Sequence, residues 1–344
     1  MDCCCKKNRE HWLTGSVETP AGKVPKIGTR VTLRDELGAL RVRFAIGRMD
    51  YTVKPGLYAV GYPGPESPVF VTANYKLTVD YLRGELGGID GWILVLDTKG
   101  INVWCAAGKG TFSTAEIVNR VEATELCRVV SHNKLIVPQL GAPGVSAVEV
   151  QKQCGFKVIY GPVRAEDIPG FLAANFKATP EMRRVRFNVR DRITVIPVEL
   201  VIWFNYALGL AALLSLIGGI SRSGFSFVAL PRAFGLVFTG WLTGGALVPI
   251  LLPWLPGRAF SVKGLWGALV LWSCVYSLLD VSPTEGTGWF LVLTAIVSFM
   301  ALNFTGTSTY TSMSGVKKEM KIAVPLQLLA LIAGIIFIVL GGLQ

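Results

Sequence analysis

The sequence is poor in the residues that build the commonest metal and disulfide sites. It has seven cysteines and two histidines in 344 residues, and no two cysteines form a C-x-x-C pair. Scattered cysteines argue against a disulfide framework, and an iron–sulfur cluster needs several thiolates at recognisable spacing. A zinc site built on histidine is equally disfavoured. We therefore expect no disulfide framework and no iron–sulfur cluster in this chain.

Three further motifs are missing. Residues 1–12 are polar and charged, without the apolar core of a signal peptide. The Rossmann string G-x-G-x-x-G is absent, and Gly108-Lys109 does not complete a Walker A loop because Val103 stands where that loop needs glycine. We therefore expect the first half of the chain to stay in the cytoplasm and to lack a dinucleotide or nucleotide triphosphate loop.

Positive charge dominates, with a formal net charge of +11 at pH 7. No stripe of basic residues interleaved with aromatic residues occurs in the first half, so nucleic-acid binding is not expected. The basic residues instead cluster at the edges of long apolar segments, which is the pattern of membrane topology.

Five apolar segments are long enough, or nearly so, to cross a bilayer, which takes about 20 helical residues. They are 195–220, 233–252, 263–281, 286–304 and 322–343. With the N-terminus inside, the outer loops hold only Arg222 and Arg232, and the inner side holds ten basic residues: Arg183, Arg184, Arg186, Arg190, Arg192, Arg258, Lys263, Lys317, Lys318 and Lys321. This bias predicts an inner-membrane protein with a cytoplasmic first half and an outside C-terminus. Few ionisable groups lie mid-span, which favours an anchor over a substrate path.

The composition changes near Ile193, which divides the chain. We predict a polar tail at 1–25, an α/β domain at 26–180, a basic linker at 181–194 and an all-α transmembrane domain of five helices at 195–344. In the α/β domain, β-branched runs alternate with helix-like segments. Strands are expected at 69–73, 92–96, 135–137 and 157–160, and helices at 77–86, 113–124 and 146–154. Ser113 and Glu116 match a capping box, and Gly155 a helix end.

Alternation of this kind predicts a mainly parallel, Rossmann-like sheet, in which ligands bind beyond the carboxyl ends of the strands. The loops 101–110, 139–144 and 161–164 follow such strand ends and are rich in Gly, Ala and Pro. Small residues allow a large flat ligand to approach the backbone, although tight turns without a ligand have the same composition.

The segment from Asn102 to Lys109 reads N-V-W-C-A-A-G-K. It resembles the signature of the mercury-methylation corrinoid protein family (HgcA). The stretches 71–76, 138–144, 158–164 and 303–320 resemble the corrinoid domain of the corrinoid iron–sulfur protein of the acetyl-CoA pathway. The usual cobalamin pattern D-x-H-x-x-G and the four-cysteine cluster of that iron–sulfur relative are both absent.

The resemblance implies a corrinoid methyltransferase that converts Hg(II) to methylmercury. It implies cobalamin bound base-off, with Cys105 as the lower cobalt ligand and the catalytic residue, and a ferredoxin-like partner with two 4Fe–4S clusters as electron donor. The methyl donor is not identified. Two alternatives stay open: a corrinoid methyl carrier for another acceptor in one-carbon metabolism, and a non-catalytic membrane module that binds corrinoid.

Other residues are assigned expected roles around Cys105. Asn102 is expected to bond the sulfur or to hold the loop, and Trp104 to pack against the ring or in the core. The full set of expected cofactor contacts is Thr72, Asn74, Asn102, Val103, Trp104, Cys105, Ala106, Ala107, Gly108, Gln139, Gly141 and Gly161, with Ala106, Ala107 and Gly108 leaving room for the ring.

Some polar and sulfur-bearing residues are left without a firm role. His132 is expected to be a surface or hydrogen-bonding residue, and Cys127 and Cys154 are expected to be buried. Cys3, Cys4 and Cys5 could capture Hg(II), a soft metal. The hydroxyl-rich loop 305–314 is either a polar linker or a cover for the upper cobalt face.

Overall fold

The computed structural model describes residues 10–222, 224–307 and 313–344. The described residues form two compact units, one of residues 10–42 and 46–185 and one of residues 43–45 and 186–344. Cys3, Cys4 and Cys5, and residues 308–312 of the loop 305–314, lie outside the described residues.

The first unit, called the α/β unit, is built on a sheet. Its described strands are β1 (Leu13–Thr19), β2 (Gly22–Ile27), β3 (Gly56–Val60), β4 (Val69–Ala73), β5 (Gly91–Leu96), β6 (Lys134–Val137) and β7 (Lys157–Tyr160). Its helices are α1 (Leu33–Arg43), α2 (Lys76–Glu85), α3 (Val103–Lys109), α4 (Thr114–Ala123), α5 (Leu126–Val129), α6 (Ala147–Cys154) and α7 (Ile168–Ala173). Short 3-10 turns cover Arg48–Asp50, Gln139–Gly144 and Ala165–Asp167.

The strands lie in the order β1-β2-β3-β5-β4-β6-β7. Strands β5, β4, β6 and β7 run parallel, β3 is antiparallel to β5, and β1 and β2 form an antiparallel hairpin. The predicted α/β fold with a mainly parallel sheet is therefore confirmed. The strand order turns at β4, because the crossover through α2 leads to β5 on one side and the later crossover leads to β6 on the other.

Both faces of the sheet are covered. Val71, Ala73 and Leu94 pack with α3, α4 and α6 on one face, while Phe70 and Ile93 pack with α2 and α7 on the other. Central parallel strands buried on both faces read as continuous apolar runs, which explains why the sequence alone located β4 to β7 within a residue or two.

The N-terminal segment differs from expectation. Residues 1–25 were predicted as a tail, but β1 and most of β2 lie in that range and form the sheet edge. Only Trp12, Val24 and Ile27 are buried there, and the other residues of the hairpin are polar or partly exposed. An edge hairpin with one thin apolar side gives a weak periodic signal.

The second unit, called the helical unit, has helices α8 (Val189–Gly218), α9 (Ala229–Leu242), α10 (Val248–Leu251), α11 (Phe260–Val275), α12 (Pro283–Asn303) and α13 (Met313–Gly342). A π turn at Thr243–Leu247 joins α9 to α10, and short strands β8 (Ile220–Ser221) and β9 (Gly224–Phe225) form a hairpin. Among the described residues, five helical stretches are long and apolar enough to cross a membrane: 189–218, 229–251, 260–278, 283–306 and 314–342. The expected five-helix second half is thus confirmed.

Small residues bring the helices of this unit together. A Cβ added to Gly288 would lie 2.7 Å from the Gly334 carbonyl oxygen, so α12 and α13 touch through their backbones. Polar side chains also pair across helices, as Gln327 Nε2 donates to Ser298 Oγ at 2.8 Å. These contacts tie the unit together internally.

Candidate functional site

The carboxyl ends of β5, β4, β6 and β7 meet at one edge of the sheet, because these strands are parallel. The chain leaves them through residues 97–102, 74–75, 138–144 and 161–164. Doubly wound sheets bind ligands at this edge, near the point where strand order turns. The sequence-predicted site residues therefore gather in the region where the fold favours a ligand.

Asn74 holds the loop that follows β5. Its Oδ1 accepts hydrogen bonds from the backbone N–H groups of Thr98 (3.1 Å) and Gly100 (3.0 Å) and from the hydroxyl of Thr98 (2.8 Å). Asn74 and Thr98 are both buried. Asn74 was expected to contact a cofactor, whereas its side-chain oxygen is committed to positioning residues 98–100.

Gly100 makes this loop possible. Its φ of +71° is the left-handed region, and a Cβ there would lie 2.9 Å from the Met49 carbonyl oxygen. The Thr98 hydroxyl also lies 2.6 Å from the Ile101 carbonyl oxygen, so this oxygen and Asn74 Oδ1 are alternative acceptors for its single proton. The loop arrives at Asn102 with its backbone fixed by buried partners.

The loop predicted at 101–110 is in fact mostly helix α3. Asn102 begins it as N-cap, with its side-chain oxygen accepting the N–H of Cys105 at 2.9 Å. Gly110 ends it with a φ of +80°. An asparagine cap adds about 1 kcal/mol. Of the two roles expected for Asn102, the structure shows the one that holds the backbone.

The two sides of α3 face different surroundings. Val103, Ala106 and Ala107 are buried in the core, while Trp104 is 37% exposed and Cys105 is a free thiol of intermediate exposure. Trp104 is therefore not a fully buried core residue. The side chains of Val103 and Ala106 pack in the core and hold α3 against the sheet, and their contact with a cofactor stays a prediction.

Gly108 shares the outward face with Trp104 and Cys105, since these residues are three and four positions apart on a helix. A Cβ added to Gly108 would meet no atom within 4 Å. The outward face of α3 is therefore sterically open around the Cys105 thiol, and the flat side chain of Trp104 lies next to that thiol.

The turn at 139–144 packs directly on α3. A Cβ on Gly144 would lie 2.1 Å from the Phe112 carbonyl oxygen and 3.1 Å from Ala107 Cα, and one on Gly141 would lie 2.5 Å from the Phe112 ring. Gly141 was expected to make room for a ligand. Gly141 is buried and leaves room for the ring of Phe112, which follows α3 in the chain. A larger residue at position 141 would therefore displace Phe112 and disturb the packing behind α3.

The remaining predicted contacts lie at neighbouring strand ends. Gln139 Oε1 accepts a hydrogen bond from Arg183 Nη1 at 2.9 Å. Gly161 is buried, with a hypothetical Cβ 3.1 Å from Ile136 Cγ2. Thr72 is buried on β4. The structure places these residues around the sheet edge rather than on an exposed surface.

Charged groups lie beside the start of α3. Lys99 bonds the Asp97 carboxylate and holds its pKa below the usual value, against the raising effect of burial. Glu116 Oε1 accepts the N–H of Asp97 at 2.8 Å and pairs with Arg120 at 2.7 Å. Ser113 caps α4, but its predicted capping-box partner Glu116 is used for Asp97, so only half of that motif is present.

Other predicted polar residues take ordinary structural positions. His132 Nε2 lies 2.8 Å from the Ser67 carbonyl oxygen, which confirms its hydrogen-bonding role. Cys154 donates to the Val150 carbonyl, and burial raises the pKa of its thiol. Cys127 is exposed, so its predicted burial is wrong. Among the described residues, no group of three or more His, Cys, Asp or Glu side chains could hold a metal ion.

A second buried cluster was missed by the sequence reasoning. Asp35 of α1 contacts Lys76 Nζ (2.7 Å), Arg83 Nη2 (2.8 Å) and His11 Nε2 (2.7 Å), and Lys76 and Arg83 also contact Asp80. We call these five residues the Asp35 network. Lys76, Asp80 and Arg83 follow each other at spacings of four and three on α2, a helical ion-pair pattern that could have revealed the α2 part.

The outward face of α3 suits a large flat ligand that carries a soft metal. It offers a thiol, a metal ligand in its thiolate form, with a low surface at Gly108 and a ring at Trp104. Thiolates prefer soft metals. A corrinoid, whose cobalt needs an axial donor, fits this donor set.

Known proteins resemble this chain over part of the α/β unit. A family model described as CO dehydrogenase/acetyl-CoA synthase delta subunit matches residues 38–172. The acetyl-CoA decarbonylase/synthase complex subunit gamma of Archaeoglobus fulgidus is 37% identical over 131 residues, which is 38% of this chain and 27% of the relative. Subunit gamma of Methanopyrus kandleri is 34% identical over 122 residues, 35% and 26% of the two chains.

Subunit gamma 1 of Methanosarcina thermophila is 33% identical over 133 residues, 38% of this chain and 28% of the relative. The chain thus spans about a quarter of the length of these curated relatives. The family-model match includes all of α3 and every strand from β3 to β7.

Proposed function

We propose that this chain is a corrinoid-dependent methyltransferase that methylates Hg(II), with the sulfur of Cys105 as lower axial ligand of the cofactor cobalt. The observation that carries the proposal is the position of Cys105, a free thiol of intermediate exposure on the open face of α3. The relatives are subunits of acetyl-CoA decarbonylase/synthase complexes, which supports one-carbon chemistry at this domain.

The residues divide into contacts and supports. Trp104, Cys105 and Gly108 form the surface on which the ring lies. Asn74 and Asn102 fix the backbone that presents Cys105. The buried members of the predicted set are supports or border the sheet edge: Thr72, Val103, Ala106, Ala107, Gly141 and Gly161. Gln139, held by Arg183, stands at the end of β6.

When bound, the cofactor would supply a cobalt that can carry a methyl group. Cys105 would hold that cobalt through its thiolate, a strongly donating ligand that enriches the metal in electron density, as in P450 haem. Hg(II) is an electrophile and accepts a methyl group with carbanion character. The thiolate of Cys105 therefore favours Hg(II) as acceptor, whereas a weaker donor would favour transfer of a methyl cation.

The decisive experiment compares Cys105→Ala with Cys127→Ala in the full chain reconstituted with cobalamin. Cys127 is an exposed free cysteine of the same unit and serves as the matched control. We expect Cys105→Ala to abolish methylmercury formation and to lose the absorption spectrum of sulfur-ligated, base-off cobalt, while Cys127→Ala keeps both. Wild-type activity and spectrum in Cys105→Ala would refute the proposal.

A second candidate keeps the corrinoid and changes the acceptor. The observation in its favour is that the relatives are named for acetyl-CoA decarbonylase/synthase complexes rather than for mercury. Incubation of the protein, loaded with methylated corrinoid, with Hg(II) or with a thiol distinguishes the two proposed acceptors. Methylated thiol without methylmercury would support the carrier, and cofactor binding with neither product would support a non-catalytic module.

The five apolar helices support a multi-pass protein of the inner membrane. The positive-inside bias places the α/β unit in the cytoplasm and the C-terminus outside. A ferredoxin-like protein with two 4Fe–4S clusters is the proposed electron donor, and the methyl donor is a separate, unidentified molecule. In this arrangement the membrane helices act as an anchor.

A further inference from the structure

Helix α1 turns its leucines away from the α/β unit. Leu33, Leu37 and Leu40 are 71%, 52% and 50% exposed, while Asp35 and Val42 are each 2% exposed. The three leucines are four and three residues apart, so they form one stripe along the helix, here called the leucine stripe. A surface helix normally directs its apolar stripe to the core, so this orientation is inverted.

The Asp35 network fixes that orientation. Besides its ion pairs, the Asp35 carboxylate accepts the N–H and the hydroxyl of Thr32, at 2.9 and 2.8 Å. On the same helix, a Cβ at Gly38 would lie 2.5 Å from Tyr51 Oη, so α1 packs closely against the Tyr51 side chain. Rolling α1 to hide the leucine stripe would expose Asp35 and leave Lys76 and Arg83 buried without it.

Two arginines lie on one side of the leucine stripe. Arg34 and Arg41 are exposed and line a cavity of about 470 Å³ that also borders Leu37 of the stripe, and its further lining includes Glu10, His11, Tyr51 and Lys76. Within residues 30–50 there are five arginines and three acids, and the acid Asp35 is already paired. The exposed surface on the side of Arg34 and Arg41 is therefore cationic, while the exposed acid Glu36 borders the other side of the stripe.

We propose that α1 is an interfacial helix that docks on an anionic lipid surface. The leucine stripe enters the boundary between headgroups and acyl chains, and Arg34 and Arg41 reach the lipid phosphates. Apolar residues beside arginines on one helix are the pattern of in-plane membrane binding, and anionic lipids attract such cations. Five helices able to cross a bilayer keep this chain at a membrane, which favours lipid over a soluble partner.

The first test places a photo-reactive benzoylphenylalanine at position 37 of the full chain in nanodiscs of phosphatidylcholine with phosphatidylglycerol. The matched control has the same group at Val148, which is 73% exposed. Val148 belongs to α6, the helix that packs on the other face of the sheet. We expect at least fivefold more lipid adduct at position 37, read by mass spectrometry. Equal adduct at the two positions would overturn the proposal, as would a crosslink from position 37 to this chain, a second copy or another protein.

The second test addresses the charge. Arg34→Gln combined with Arg41→Gln should reduce the lipid adduct at position 37 severalfold in anionic nanodiscs and leave it unchanged in pure phosphatidylcholine. Arg128→Gln combined with Lys152→Gln removes two exposed cations elsewhere on the unit and should change neither value. An adduct that does not depend on the anionic lipid, or that responds equally to both pairs, would overturn the electrostatic half of the proposal.

Discussion

Helices α3 and α1 are both held in their orientation by a polar contact, but they present different surfaces. Each is short, and each is oriented by a polar contact: a partly buried one, in which Asn102 holds the Cys105 amide at the start of α3, and a buried one, in which Asp35 holds α1 to α2. The contact to α3 is neutral and local, three residues along the chain. The contact to α1 is ionic and spans 41 residues to Lys76.

The difference predicts how each helix fails. A local cap adds about 1 kcal/mol, so its loss loosens one turn and changes what that turn presents. A buried ion pair that loses one partner leaves an uncompensated charge, which costs about 3–5 kcal/mol. Damage to the Asp35 network should therefore reach the whole unit, and damage to the caps should stay at the site.

The largest expected effect follows from Asp35→Ala. It leaves Lys76 and Arg83 buried with only Asp80 as acidic partner, and we expect the α/β unit to lose about 3–5 kcal/mol of stability. Hydrogen exchange of the amides of β4 and α2 in the full chain measures this loss. Glu36→Ala, one residue away and exposed, is the control and should change exchange little. Similar exchange in both variants would contradict the role given to the network.

The Asp35 carboxylate also makes the stability of the α/β unit depend on pH. Burial alone would raise the pKa of Asp35, but hydrogen bonds from Lys76 and Thr32 and the charge of Lys76 outweigh it and hold that pKa well below 3.8. A depressed pKa in the folded state adds stability above the ordinary pKa and loses it as the pH falls below that value. Exchange protection should thus be insensitive to Asp35 titration from pH 5 to 7 and fall below about pH 4. In Asp35→Asn that acid-induced part should be missing.

A smaller and more local effect is expected for Asn74→Ala. The change leaves the N–H groups of Thr98 and Gly100 without their acceptor, while the Thr98 hydroxyl keeps the Ile101 carbonyl, and an unsatisfied buried donor costs about 1–3 kcal/mol. We expect faster exchange in residues 98–105 and weaker cobalamin binding, with β1 and β2 unaffected. Asn133→Ala, at an exposed asparagine of the same unit, is the control. Unchanged cobalamin binding in Asn74→Ala would show that the loop is not part of the site.

The sequence predicted what depends on local pattern. Strands β4 and β5 and most of β6 are buried on both faces, these strands and the edge strand β7 read as apolar runs, and Ser146 and Gly155 mark the ends of α6 as expected. The motif around Cys105 also singled out the candidate site, because its residues are adjacent in the chain, and its role in binding stays a prediction. Long-range features were out of reach: nothing local indicates that Asp35 pairs with Lys76, or that Gly141 faces Phe112.

The distinction between contact and support could not be predicted either. Ala106 and Gly108 are both small and two residues apart, so composition treats them alike. Helix α3 turns Ala106 into the core and Gly108 to the outside. Reading 101–110 as a loop removed the periodicity that would have separated them.

The smallest stability change and the most specific site effect are expected from Asn102→Ala compared with Ser146→Ala. Both residues cap helices of the same unit through an N–H three residues on, at 2.9 Å for α3 and 3.3 Å for α6. Each loss should cost about 1 kcal/mol. Because only α3 carries Cys105, Asn102→Ala should weaken cobalamin binding severalfold in absorbance titrations while Ser146→Ala leaves it unchanged. Equal weakening by both would mean that cofactor binding follows general stability, and the orientation of α3 would then have no separate importance.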